Sequence, residues 1–378
     1  MSKKILSVAL ALVAALTMTA QTVDKSKVTT NADAAAKAGD ALKGLESGEK
    51  AWKFDGTVGL NAAATGLVNW AAGGKNNVNG IAYAKLHLLY HKNAIAWETN
   101  FDTDFGMTWI QQQEDPLQKS SDNIKLATKF GWEFKETWYL TVLGSFQSQY
   151  ALGRDYITGY NPIISKWLAP SYTDNSVGID WKKSYKGADF SIYLSPVAGR
   201  ITTAYIGDAW NKKYSDEYNA AMGTTDYDLR QSLKEKYGVA HYDNAGNLVY
   251  DRNARAEFGL SFKGSIAYTY QDFKIGTTLA LFTPYQGKGY NLKDIYEAEH
   301  GADTYTGYYE YSNMNRHFGM FDVDWNVMLS YQFLKCLQIT LQTDLKYYPG
   351  TLIANSDGVE AERVQFKGVI GLGVGYSF

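Results

Sequence analysis

Five histidines, at positions 87, 91, 241, 300 and 317, and a single cysteine, Cys336, are the chain's obvious ligating side chains. No two histidines form the His-Glu-x-x-His pattern that sets imidazoles and a general base around zinc. A lone cysteine forms no internal disulfide. Gly73-Gly74 runs into Lys75-Asn76, without the Gly-Lys-Ser/Thr ending of a phosphate loop. No metal or cofactor is therefore expected. The other candidates are charged and amide side chains in groups: Lys85 and His87; Glu98, Asn100, Asp102 and Asp104; Lys125, Lys129 and Glu133; Arg255, Glu257 and Lys263; Asp322, Asp324 and Asn326; Asp344 and Lys346; and Lys367. Within each group the members stand an even number of residues apart, which puts them on one face of a β-strand. The two signs are interleaved. Such a face can orient a small polar solute between opposed charges. It can also neutralise itself, and a self-satisfied lining is the simpler expectation. Hairpin registry is expected to bring His87 near Glu98, and Asp104 near Lys125.

The opposite face of the same segments is apolar. Trp52, Phe54, Val58 and Leu60 alternate with Lys53, Asp55, Thr57 and Gly59. Ile95, Trp97, Phe101 and Phe105 alternate with Glu98, Asn100, Asp102 and Asp104, and Phe321 to Phe333 repeats the pattern. Expected strands are 52–64, 81–90, 95–107, 123–134, 138–150, 173–182, 188–202, 254–270, 274–283, 319–333, 337–348 and 363–378. Pro170 and Pro196 interrupt the edges of the sixth and seventh. Short connections at His91–Ala94, Lys135–Thr137, Lys183–Gly187, Gln271–Phe273 and Leu334–Cys336 alternate with long ones near 65–80, 107–122, 151–172, 203–253, 284–318 and 349–362. A soluble sandwich also alternates polar and apolar residues. It has no reason to sort its loops by length, and its strands average about 5–6 residues. Strands that cross a bilayer need about 9–11. The expected fold class is all-β: a transmembrane antiparallel β-barrel of about twelve strands, with ten and fourteen as alternatives, short periplasmic turns and long extracellular loops. Ile370, Leu372, Val374, Tyr376 and the terminal Phe378 resemble the closing strand that the outer-membrane assembly machinery reads.

Lys3 and Lys4, the apolar run Ile5–Leu16 and the small or polar residues to Ala20 read as a secretory signal, residues 1–20. Residues 21–51 are polar and Ala/Lys-rich, a flexible or short helical periplasmic segment; 52–378 is the barrel. Without the leader the charge is −4, from 35 basic and 39 acidic residues. That balance gives no reason to expect a nucleic-acid partner. The 29 tyrosines and 10 tryptophans suit membrane–water interfaces. The expected location is a Gram-negative outer membrane, with its lipid and its assembly machinery as partners.

Asn69-Trp70-Ala71-Ala72-Gly73-Gly74-Lys75-Asn76, in the first outer loop, resembles the Asn-Trp-Ala-Ala-Gly-Gly signature of a Bacteroidota family catalogued as domain of unknown function 3078. Trp97-Glu98-Thr99-Asn100, Ser121-Asp122-Asn123-Ile124-Lys125-Leu126 and Leu168-Ala169-Pro170-Ser171-Tyr172 follow the same order of landmarks, so the likeness spans most of the chain after Trp52. Members often carry an acidic residue after the two glycines; here it is Lys75. The resemblance implies an outer-membrane protein without an assigned activity. Asn69, Trp70, Gly73 and Gly74 are expected to shape a loop more than to bind. The leading functional expectation is binding or passage of a small polar solute through the charged lumen. The alternative is a surface protein whose long loops bind a partner or glycan, with Tyr305, Tyr308, Tyr309 and Tyr311 as a stacking cluster and Asp226–Lys236 as a short helix. Third comes an outer-membrane lipid hydrolase. It needs a nucleophile and base near the outer edge, and His87 is expected at the opposite end, so no catalysis is expected.

Overall fold

The computed structural model describes residues 51–65, 75–156, 161–242, 247–285, 317–332, 337–349, 352–354 and 360–377. Among these, twelve long strands form one antiparallel barrel: β1 Trp52–Thr65, β2 Asn77–Lys92, β3 Ile95–Ile110, β4 Leu117–Lys135, β5 Trp138–Ser148, β6 Ser171–Tyr185, β7 Ala188–Thr203, β8 Ala254–Tyr270, β9 Phe273–Pro284, β10 Asp322–Gln332, β11 Leu337–Tyr347 and β12 Gln365–Ser377. Each pairs with its neighbour in sequence, and β1 meets β12 through Thr57–Leu60 against Ser377–Val374, so the order is cyclic. Four of the short turns, at 93–94, 136–137, 186–187 and 271–272, have only two residues. At Lys186 (φ 48°) and Gly187 (φ 81°) both central residues take the left-handed conformation of a type I′ turn.

Period-two alternation sorts the side chains. Phe130, Leu140, Val142, Ile179, Ile192 and Leu194 face outward and each exposes 43–49 % of its surface. Glu98, Lys129, Asp180, Tyr193 and Asp322, on the inward positions, expose 2 % or less. An exterior of aliphatic and aromatic groups around a charged interior inverts a soluble protein, and an apolar surface this extensive is stable only against hydrocarbon. The protein is a transmembrane β-barrel. The cyclic order pairs β1 with β12 through four residues of each, and pairing of the edge strands is what lets a sheet enter a bilayer.

Several expected boundaries shift. β3 and β4 run further than their apolar stripes and leave only Gln111–Pro116 between them, where a long loop at 107–122 was expected. A bulge opposite Gly106 and Met107 absorbs one residue of β4, which lets the ladder continue. β6 begins just after Pro170, and β7 carries Pro196 through at a second bulge, between the Val177 and Ile179 pairings. Proline lacks the N–H that a regular ladder would need there. β6 also reaches Tyr185, shortening the turn expected at Lys183–Gly187. The leader, most of the 21–51 segment, Asn69, Trp70, Gly73, Gly74, the tyrosines at 305–311 and Phe378 lie outside the described residues. Ile370, Leu372, Val374 and Tyr376 are described by their backbone in β12, where Val374 and Tyr376 pair with Leu60 and Val58.

Candidate functional site

The inward faces of β4 to β11 hold a dense polar lattice. Lys129 on β4 donates to Asp180 on β6, skipping the intervening strand, and its ammonium lies 5.6 Å from the Tyr193 ring centroid. Asp180 also takes Lys182 Nζ at 3.3 Å and the Ser191 hydroxyl at 2.8 Å. The Tyr193 hydroxyl donates to Ser176 Oγ at 2.8 Å. Further round, Arg200 on β7 donates through Nε to Asp174 Oδ1 at 3.0 Å and through Nη1 to Asp322 on β10. The Arg200 guanidinium stacks 4.4 Å over Phe282. The next carboxylate, Asp324, accepts from the Tyr348 hydroxyl and lies 3.7 Å from Lys346 Nζ. A cavity of about 20 Å³, bordered by Tyr193, Arg200, Lys263, Phe282, Asp322 and Asp324, remains. It has room for about one water. Charges removed from water to this degree persist only when paired and hydrogen-bonded, and these are.

The inward faces of β2 and β3 differ. Lys85 is exposed, while His87, Asn100, Asp102 and Asp104 are half-buried. Lys85 stands opposite Asp102, and Asp102 opposite Lys125. His87 Nε2 lies 3.0 Å from Glu98 Oε1, which also accepts from Asn100 Nδ2 at 3.0 Å. The register does not set Asp104 directly opposite Lys125. The register sets Asp104 opposite Asn123, and its carboxylate accepts from Ser121 and Asn123.

Three other sequence candidates sit away from the bore's centre. Glu133 is at the short-turn end and accepts the Thr137 amide at 3.2 Å. Arg255 and Glu257 are at the long-loop mouth, where Arg255 Nη2 reaches Glu257 Oε2 at 3.1 Å and Nη1 reaches the Gly238 carbonyl at 2.7 Å. Asp344 and Lys367 face each other in the β11–β12 register; their side chains lie outside the described ones. Sequence reasoning missed Asp174, Asp180, Lys182 and Arg200. The signal was present, since Asp174, Ser176, Asp180 and Lys182 alternate with Val177, Ile179 and Trp181.

Above the mouth stands a folded cap. Helices α1, Asp208–Met222, and α2, Leu229–Lys236, pack with Ile163, Ala169, Ala204, Ile206, Tyr237 and Val239 around the fully buried Leu229 and Leu233. The expected helix at Asp226–Lys236 starts three residues later because Asp228 caps it, accepting from the Gln231 amide. The longer α1 was not expected. Lys234 donates to the Tyr250 carbonyl at 2.6 Å, and burial holds its ammonium below the ordinary lysine pKa. Burial pushes the Tyr237 phenol well up.

The family model described as "Protein of unknown function (DUF3078)" matches residues 63–153. The matched stretch covers the β1–β5 region, and the landmark at Leu168–Tyr172 falls beyond it. No curated protein matches. Among solved structures, the chain is similar to the translocator domain of the autotransporter NalP from Neisseria meningitidis, with 9% identity, a TM-score of 0.35 and coverage of 90% of this chain and 94% of that one. It is similar to an outer-membrane channel from Pseudomonas putida F1, with 9% identity, a TM-score of 0.35 and coverage of 86% and 93%. It is also similar to outer-membrane phospholipase A from Escherichia coli, with 10% identity, a TM-score of 0.31 and coverage of 90% and 97%.

Proposed function

We propose that this chain is an exported outer-membrane β-barrel that binds or passes a small polar solute along the wetter half of its lumen, beside β2 and β3. One contrast carries the reading. The inward charges of β4 to β10 include Lys129, Asp180 and Asp322 at 1 % exposure or less; among the described charges of β2 and β3 Glu98 is buried to that degree, while Lys85 is exposed and Asp102 and Asp104 are only half-buried. A path beside β2 and β3 would carry a lysine and two aspartates on its wall, which suits a solute carrying both signs or many hydroxyls.

Planar-bilayer recording of the full chain tests it. The expected result is small, reproducible unitary conductance whose ion selectivity shifts in Asp102→Ala/Asp104→Ala. Silence of both the intact chain and a variant lacking residues 21–51 would overturn it. The cap favours a second reading, a non-transporting barrel whose outer loops bind a partner or glycan, and silence would favour that one. A lipid hydrolase is the weakest of the three: its base is needed near the outer edge, and His87 stands toward the short-turn end of β2, with Nε2 3.0 Å from Glu98.

A further inference from the structure

On the outer rim of β5 to β7 the lipid-facing surface does not stop where the strands stop. Phe146, outward on β5, meets Trp167 edge-on at 5.9 Å. Tyr205 carries the outward column of Ile201 beyond the end of β7, its amide donating to the Leu168 carbonyl at 2.9 Å. Trp210, in the first turn of α1, packs on Tyr214 at 5.3 Å. Trp167, Tyr205 and Trp210 expose 41–47 % of their surfaces. Amid them lies one ammonium. Lys166 Nζ is 5.2 Å from the Trp210 ring centroid and 6.0 Å from that of Tyr205, and it donates to the Tyr205 carbonyl at 3.5 Å. No carboxylate of the described residues pairs with it; burial alone lowers its pKa. The lysines of α1 contrast with it, Lys212 being bound to Asp216 at 2.9 Å and Lys213 lying 3.9 Å from Glu217.

A cation with no carboxylate partner among the described residues, held among exposed aromatic rings and continuous with a hydrocarbon-facing wall, has the make-up of a membrane–water interface. We propose that Lys166, framed by Trp167, Tyr205 and Trp210, docks the phosphate of a lipid in the leaflet on the long-loop side. The acyl chains would lie along the outward columns of β5 to β7 while the aromatic faces border the headgroup. This inference rests on the barrel's outer wall and stands whether or not the lumen conducts.

The test uses the full chain folded in bilayer discs of a phosphate-free galactolipid with graded fractions of phosphatidylglycerol. Native mass spectrometry then counts phosphatidylglycerol retained on the released barrel. Lys166→Gln is expected to need about fivefold more phosphatidylglycerol for half-saturation, the effect of one basic side chain at an anionic surface. Lys166→Arg and Lys212→Gln should match the parent chain, Trp210→Ala should bind more weakly, and inorganic phosphate should not compete. Heat-shifted electrophoretic mobility confirms that each variant is folded. Equal retention by the parent chain and folded Lys166→Gln would overturn the proposal, as would displacement by inorganic phosphate, which marks a free-anion site.

Discussion

Arg200→Met is the sharpest probe of the filled half of the lumen. Arg200 is 6 % exposed, joins Asp174 on β6 to Asp322 on β10, and sits over the Phe282 ring. Methionine keeps most of the volume and the contact with the ring, so packing changes little. What is lost is the positive charge between two carboxylates, one of them 1 % exposed. Removing one member of a buried ion pair costs about 3–5 kcal/mol, because the partner stays behind without its counter-charge. That loss should appear as a lower guanidinium midpoint for the barrel in lipid vesicles, followed by tryptophan fluorescence, with an unchanged slope. Adding Asp174→Asn and Asp322→Asn removes the stranded charges, and stability should return to within about 1–2 kcal/mol of the parent. A loss below about 1 kcal/mol for Arg200→Met, the range of solvent-screened pairs, would mean that water reaches this lattice. The division of the lumen into filled and wet halves would then fail.

Val142→Arg sets a charge on the lipid face and should cost about 2–4 kcal/mol if the site lies near the bilayer midplane; a neutral result in the same titration would place that surface in water. Gly59→Val should destabilise by about 1–3 kcal/mol through overpacking, since a Cβ there would lie 2.4 Å from the Tyr83 hydroxyl. Gly80→Ala, with nothing within 4 Å of its Cβ position, is the near-neutral comparison in the same assay. Leu233→Ala empties part of the cap core at a cost of about 2–5 kcal/mol. Limited proteolysis should then cut within 204–253 while the barrel keeps its heat-shifted mobility, and loss of both together would show that cap and barrel fold as one unit.

Most of the wall was legible because a bilayer imposes the simplest of patterns. Trp97, Phe101 and Phe105 against Glu98, Asp102 and Asp104 give one face to hydrocarbon and one to the lumen, and a tight hairpin then fixes which residues stand opposite each other. Legibility fell wherever one residue was added to a ladder. The bulge opposite Gly106 and Met107 extends β4 into a region that reads as loop, since Gln118, Lys119, Ser120 and Ser121 carry no apolar alternation. The lattice was harder still. Period two states that Asp180 and Lys129 face inward, but not that a long lysine reaches past β5, because that contact depends on strand tilt and on how far the lumen closes. The helix α1 hid for another reason: Trp210, Tyr214, Tyr218 and Met222 recur at helical spacing, yet they sit in a segment whose length reads first as an extended loop.

The cap and the filled half of the bore occupy the same sector of the barrel, and that coincidence has a mechanical sense. The cap grows from the ends of β5, β6, β7 and β8 and is tied down by Arg255 to the Gly238 carbonyl and by the Ala204 amide to the Asn253 carbonyl at 2.9 Å. A folded unit on four strands needs those strands to hold a fixed spacing. The ties from Lys129 to Asp180 and from Arg200 to Asp174 and Asp322 span from β4 to β10 and brace those four strands from within. Cooperative bracing of this kind would stiffen one wall, whereas β2 and β3 carry no cap among the described residues. Loosening the brace with Arg200→Met should therefore raise hydrogen exchange in the cap residues 204–242 as well as in β6 and β7, while β2 exchanges as before. Uniform change around the barrel would instead mean that the lattice contributes only bulk stability, and the placing of the cap above it would need another cause.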